Sequence, residues 1–171
     1  MKKLLPIILL FCFSLTFSQE IKLVENKKYE GAIFSKSYTD EFSNFPPIEK
    51  RFTPTVTEIA ELENQLKKQI KRINKNKPNQ GKHYGPIIHR NLKKYVRQYI
   101  GFIDNEGQKF IYVNFLWDGY SLLDFIRGFE KPDDSWKTEW QMWFDGGSRY
   151  WNIKYIIDKK EFVDFSVNGI A

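Results

Sequence analysis

Cysteine is almost absent from this chain: Cys12 is the only one in 171 residues. It lies in an N-terminal stretch that reads as a removable leader. Once that stretch is lost no disulfide can form, so stability has to come from packing, although an exported protein works where disulfides are permitted. Phe11, a large residue, precedes Cys12, which argues against lipidation there. Histidine is nearly as scarce, with only His83 and His89. Their spacing across Gly85-Pro86 does not put them on one helix face, and the surrounding sequence offers no carboxylate as a third zinc ligand. They read as loop and strand-edge residues. A phosphate-cradling loop is also missing, because Asp145-Gly-Gly147 lacks the required lysine and spacing and reads as a turn. No catalytic motif, metal site or cofactor is therefore expected.

Long apolar runs are confined to the N-terminus. Met1-Lys2-Lys3 is followed by an apolar stretch from Leu4 through Phe17 and then the small Ser18. That order is the form of a secretory signal peptide over 1–18, with cleavage expected between Ser18 and Gln19. No later run reaches the roughly 18 apolar residues of a membrane helix. The expectation is an exported protein, periplasmic or secreted, of one domain: an extended N-terminal segment, 19–52, and a helix with a strand meander, 53–171.

The clearest element is a helix from Thr55 to Ile73. Thr55 and Glu58 have capping-box spacing, and Ile59, Leu62, Leu66, Ile70 and Ile73 form one apolar stripe. Glu58, Glu61 and Glu63 lie toward its positive end, and Lys67, Lys68, Lys71 and Arg72 toward its negative end. Ahead of it, residues 19–28 read as a tether or short edge strand, residues 29–38 as a first strand, and Pro46-Pro47 marks an extended connector. After it, strands are predicted at 95–103, 109–117, 136–144, 151–157 and 162–167. Asp104-Asn-Glu-Gly107 forms a hairpin turn between the first two. Residues 121–129 read as a short helix or packed loop, and Lys131 to Asp134 as exposed.

One helix before an antiparallel meander predicts an α+β fold, with a long helix packed on a curved antiparallel sheet of four to five strands. That layout is similar in topology to the cystatin-like and NTF2-like rolls, a likeness that carries no functional residues. Over roughly the C-terminal half, Tyr95-Val-Arg-Gln-Tyr-Ile-Gly-Phe, Asp104-Asn-Glu-Gly107, Gly146-Gly147 and Phe165-Ser-Val-Asn-Gly-Ile-Ala171 resemble small uncharacterised exported bacterial proteins. The resemblance implies export and a single domain, and no activity.

Charge is the most unusual property. The formal net charge is +6, falling to +4 when Lys2 and Lys3 leave with the leader. From Asn64 to Ile103, forty residues hold eleven Lys or Arg and no Asp or Glu. Beyond the helix end this run comprises Lys75, Lys77, Lys82, Arg90, Lys93, Lys94 and Arg97, interleaved with Tyr84, Tyr95 and Tyr99. Cations beside aromatics suit a polyanion or a single-stranded nucleic acid, and an anionic glycan, lipid surface or acidic protein would answer to the same charges. Export argues against nucleic acid. Helix-end lysines are also explained by the dipole alone, which leaves Lys75 to Arg97, with Tyr95 and Tyr99, as the candidate binding residues.

Two readings follow. The favoured one is an exported non-enzymatic binding domain whose basic surface meets an anionic envelope partner. The alternative is a small NTF2-like enzyme with a pocket between helix and sheet, in which Asp118 and Asp124 act as an acid/base pair. A purely structural envelope component is a third. Of the tryptophans, Trp136, Trp140 and Trp151 read as core. Trp143, on the opposite face from Trp140, is the candidate exposed aromatic, of the kind that stacks on sugars.

Overall fold

The computed structural model describes residues 21–40, 44–81, 84–120, 122, 126 and 133–170. Residues 1–18, where a leader is expected, the expected cleavage point, Lys82, His83, Asp124 and most of 121–132 lie outside them. Among the described residues, no helix is long and apolar enough to cross a membrane.

The elements in chain order are β1 (Ile21–Glu25), β2 (Glu30–Phe34), β3 (Arg51–Phe52), α1 (Val56–Ile73), α2 (Ile88–Asn91), β4 (Tyr95–Ile103), β5 (Lys109–Trp117), β6 (Tyr150–Ile156) and β7 (Glu161–Val167). All seven strands belong to one sheet in the order β1-β2-β4-β5-β6-β7, with β3 also paired to β4. This overturns the expected antiparallel roll of four to five strands. The sheet is larger, and it is mixed: β2 runs parallel to β4, with Glu30 opposite Val96 and Ile33 opposite Tyr99. The cause lies in the connection. Parallel neighbours need a crossover, commonly through a helix, and α1 sits between β2 and β4 in the chain. A local meander pattern carries no trace of a pairing made across that distance.

Local signals are otherwise well expressed. Thr55 Oγ1 accepts from the Glu58 N–H at 3.2 Å, and Glu58 Oε2 accepts from the Thr55 N–H at 2.7 Å, closing the capping box. The 104–107 turn forms as expected, with Gly107 at φ 83° and Asp104 Oδ1 accepting from the Glu106 and Gln108 N–H groups. The strand expected at 136–144 does not form. A short 3-10 helix, Asp134–Lys137, and irregular chain take its place. Apolar alternation needs a backbone partner to become a strand, and this segment is tied to the sheet by side chains instead.

Both faces of the sheet are covered. On one, Ile59, Leu62, Leu66 and Ile70 of α1 pack against Tyr95, Tyr99, Ile111, Val113, Phe115, Trp151, Ile153 and Tyr155. Phe115 and Trp151, opposite one another across β5 and β6, stack at 3.6 Å. On the other face, Val96, Ile100, Phe102, Leu116 and Tyr150 lie beneath Tyr38 and Trp136, with Phe45 and Trp140 packed alongside. Hence β4 is buried along nearly its whole length.

Candidate functional site

The basic run divides into buried and exposed members. Arg97, Tyr95 and Tyr99 are respectively 1%, 1% and 0% exposed, so these three residues belong to the core and not to a binding surface. Their strand face turns toward α1. There Arg97 Nε pairs with Glu63 Oε1 at 3.2 Å, Tyr99 Oη donates to the same oxygen at 2.8 Å, and Arg97 Nη2 donates to the Leu92 carbonyl at 2.9 Å. Burial, and then the Glu63 charge, push the Tyr99 phenol well above its ordinary range. Tyr95 donates to the Ser148 carbonyl at 2.6 Å. The sequence held a signal for this pairing. Glu63 lies four residues after Ile59 and three before Leu66, inside the apolar stripe, where an acid needs a buried cation.

Lys75, Lys77, Arg90, Lys93 and Lys94 are exposed, as are Lys67, Lys68, Lys71 and Arg72 on α1. Lys94 rests over the Trp117 ring at 5.7 Å. Lys71, Lys75, Lys77, Arg90 and Lys93 make no ion pair with any described residue.

What gathers part of this set is a hydrogen-bonded platform behind α1. Asn74, 0% exposed, caps the helix by donating its N–H to the Ile70 carbonyl at 2.8 Å. The Ile88 N–H donates to Gln80 Oε1 at 2.9 Å, which fixes that amide's orientation. Gln80 Nε2 then donates to Asn74 Oδ1 at 2.6 Å, and Asn74 Nδ2 donates back to Gln80 Oε1 at 2.8 Å. The second Asn74 N–H faces His89 Nδ1 at 3.2 Å. A donor there makes Nδ1 the acceptor, so the neutral ring carries its proton on Nε2. Loop 75–80 and α2 are thereby held against the helix end, which brings Lys71, Lys77 and Arg90 within electrostatic reach of His89. Partial burial, then Arg90, Lys77 and Lys71, hold the His89 pKa below its ordinary value. The network follows from Asn and Gln side chains whose partners are distant in sequence, so spacing alone does not reveal it.

The space between helix and sheet is occupied by side chains: Ile59, Leu62, Leu66, Ile111, Val113 and Ile153 are all 0% exposed. Asp118 lines a cleft on the opposite sheet face, and its N–H donates to the Lys94 carbonyl at 2.8 Å. Among the described residues, no three His, Cys, Asp or Glu side chains group closely enough to hold a metal ion.

That outer cleft is built by a second amide network. Gln98, 0% exposed in the middle of β4, donates to the carbonyls of Trp136 at 2.8 Å and Glu139 at 2.7 Å, and its Oε1 accepts from the Gln141 N–H at 2.9 Å. Asn114 on β5 donates to Gln98 Oε1 at 3.2 Å and to the Gln141 carbonyl at 2.8 Å. These bonds bind 136–141 to the sheet in place of a ladder. Beyond them Trp143 is 44% exposed and stacks on Tyr150 at 4.7 Å with an interplanar angle of 7°, in keeping with its expected exposure. Comparison with protein-family models, curated proteins and solved structures finds no match to this chain.

Proposed function

We propose that this chain is an exported, non-enzymatic binding domain that meets an anionic partner of the cell envelope through the cations gathered behind α1. The observation that carries the reading is that the charges of Lys71, Lys77 and Arg90 all act on the His89 ring, so the three lie within electrostatic reach of one side chain. These cations have no ion-pair partner among the described residues and stand on the fixed Asn74–Gln80 platform. Cations brought close without acids repel one another and are stabilised by whatever anion joins them. Lys75 and Lys93 extend the charge, and Lys82 belongs to the same stretch of sequence. Export rests on the order of the N-terminal residues: Lys2 and Lys3, an apolar run to Phe17, then Ser18.

Retention on a heparin column tests the reading. The wild-type chain from residue 19 onward is expected to bind at low salt and to elute as screening shortens the reach of its charges. The Lys71→Glu, Lys77→Glu, Arg90→Glu triple variant is expected to flow through. Equal retention of the two proteins, or none by the wild type at any salt, contradicts the reading. Parallel flotation with phosphatidylglycerol vesicles tells a lipid surface from an acidic glycan.

A further inference from the structure

We propose that the outer face of the sheet carries a second binding site, for a neutral sugar ring, on the exposed indole of Trp143. The site is independent of the basic cluster. Three features carry it: the disposition of the aromatic rings, the rigidity of their support and the charge of the rim.

Trp143 and Tyr150 lie nearly parallel, 7° apart with centroids at 4.7 Å. One face of the indole is therefore covered by Tyr150, and with the residue 44% exposed the proposal assigns the binding plane to the other face. Rings that face each other across a gap form a cage for a cation. Rings stacked in parallel present a single flat outward plane, which suits the C–H face of a pyranose. The neighbouring cleft, bounded by Trp136, Asp133, Ser135 and Gln141, encloses about 300 Å³ including its open mouth. Its interior has room for no more than about one water molecule. A ligand therefore rests on the surface and is not engulfed.

The platform is held from below and behind. Gln98 and Asn114 pin the loop that precedes Trp143. Asn168 Nδ2 donates to the Trp143 carbonyl, and Asn79 Nδ2 donates to the Asn168 carbonyl at 2.6 Å. Gly146 takes φ 88° and lies so close to Tyr150 that a Cβ would meet its ring at 2.7 Å. A rigid aromatic plane loses little freedom on binding, which favours weak polar ligands that offer few strong contacts.

The rim carries both signs. Asp133 and Asp134 lie beside Lys137, which is ion-paired to Asp134 at 2.9 Å and rests over Trp136 at 5.4 Å. With Asp118 lining the same cleft, acids outnumber bases at this rim, which disfavours an anionic ligand. The rim also supplies hydroxyl partners. Gln141 Nε2 is committed to Ser135 Oγ at 3.1 Å, while its Oε1 accepts from no described residue, and the Asp133 carboxylate, which takes the Ser135 N–H at 3.0 Å and the Ser135 side chain, stands at the edge of the cleft. Acceptors beside an aromatic plane are what sugar hydroxyls and ring carbons together require.

The test is a titration of the chain from residue 19 onward with chitohexaose, cellohexaose and laminarihexaose, followed by tryptophan fluorescence and calorimetry. Sodium chloride is held at about 0.5 M, where the basic cluster is screened. At least one hexasaccharide is expected to bind saturably. Trp143→Ala is expected to weaken it on the order of tenfold, with a cooperative unfolding transition retained. Trp143→Tyr retains most of the affinity, and the Lys71→Glu, Lys77→Glu, Arg90→Glu variant retains all of it. The proposal is overturned if none of the three sugars binds below about 10 mM, a limit corresponding to a very weak contact. It is equally overturned if Trp143→Ala binds as the wild type does, or if sedimentation shows a dimer that Trp143→Ala dissolves, which makes the plane a self-association surface.

Discussion

Glu63 Oε1 accepts from Arg97 Nε at 3.2 Å and from Tyr99 Oη at 2.8 Å, tying α1 to the centre of the sheet through one buried carboxylate oxygen. Removing a buried charge strands its partner and costs about 3–5 kcal/mol, whereas replacing both members with apolar residues is often neutral. Glu63→Ala is therefore expected to lose that amount in urea unfolding. Glu63→Leu combined with Arg97→Met recovers much of it. Tyr99→Phe, which leaves the ion pair intact, costs about 1.5–3 kcal/mol.

How far the sequence led depends on whether the partner of each residue is local. The Thr55–Glu58 box and the Asp104–Gly107 turn are complete within a few residues, and both form as written. The β2–β4 pairing is set by a register of Glu30 against Val96, far apart in the chain, and the sequence reading missed it along with the sheet's true size. Gly31 was the available sign: a Cβ there would stand 2.7 Å from the Arg97 carbonyl, so this strand needs glycine to approach β4. On β4 the alternation was legible and its sense was not. Tyr95, Arg97 and Tyr99 look like the wet face by composition, and Glu63 makes them the dry one. Of the proposed sites, the cations were visible by charge, while the Asn74–Gln80–His89 bonds that gather them were not.

Gln98 should matter to the outer face more than to the core. Gln98→Leu leaves the Trp136 and Glu139 carbonyls and the Gln141 N–H without their buried partner. A loss of about 1–3 kcal/mol is expected. The near-ultraviolet circular dichroism of the tryptophans should change as the loop leaves the sheet, with the far-ultraviolet spectrum unchanged.

Gly101 sets how closely β3 lies against β4, because a Cβ there would meet the Phe52 carbonyl at 2.5 Å and its ring at 2.7 Å. Gly101→Ala is expected to destabilise by about 1–3 kcal/mol, in the range of overpacking changes. Hydrogen exchange should show the loss centred on 51–52 and their partners Gly101 and Phe102.

His89 gives the proposed anion site a pH signature. Its folded pKa lies below the ordinary 6.5, through partial burial and the charges of Arg90, Lys77 and Lys71. Between the folded and ordinary values the unfolded chain binds more protons. Its contribution to stability is then full above about pH 6.5 and is lost as pH falls through the folded value. The stability of the wild type relative to His89→Gln should therefore fall as pH drops through this range. A bound polyanion offsets those cations, so saturating heparin raises the His89 pKa, and by linkage heparin binds more tightly as pH falls.

The most direct test of the anion site is a nuclear magnetic resonance titration of the 15N-labelled chain from residue 19 onward with a heparin tetrasaccharide at low salt. The account predicts shifts concentrated at Lys71, Lys77, His89 and Arg90, with the His89 ring moving toward its protonated form and the perturbations fading as salt is added. Shifts spread evenly over exposed lysines such as Lys22, Lys109 and Lys159, with His89 unmoved, would contradict it.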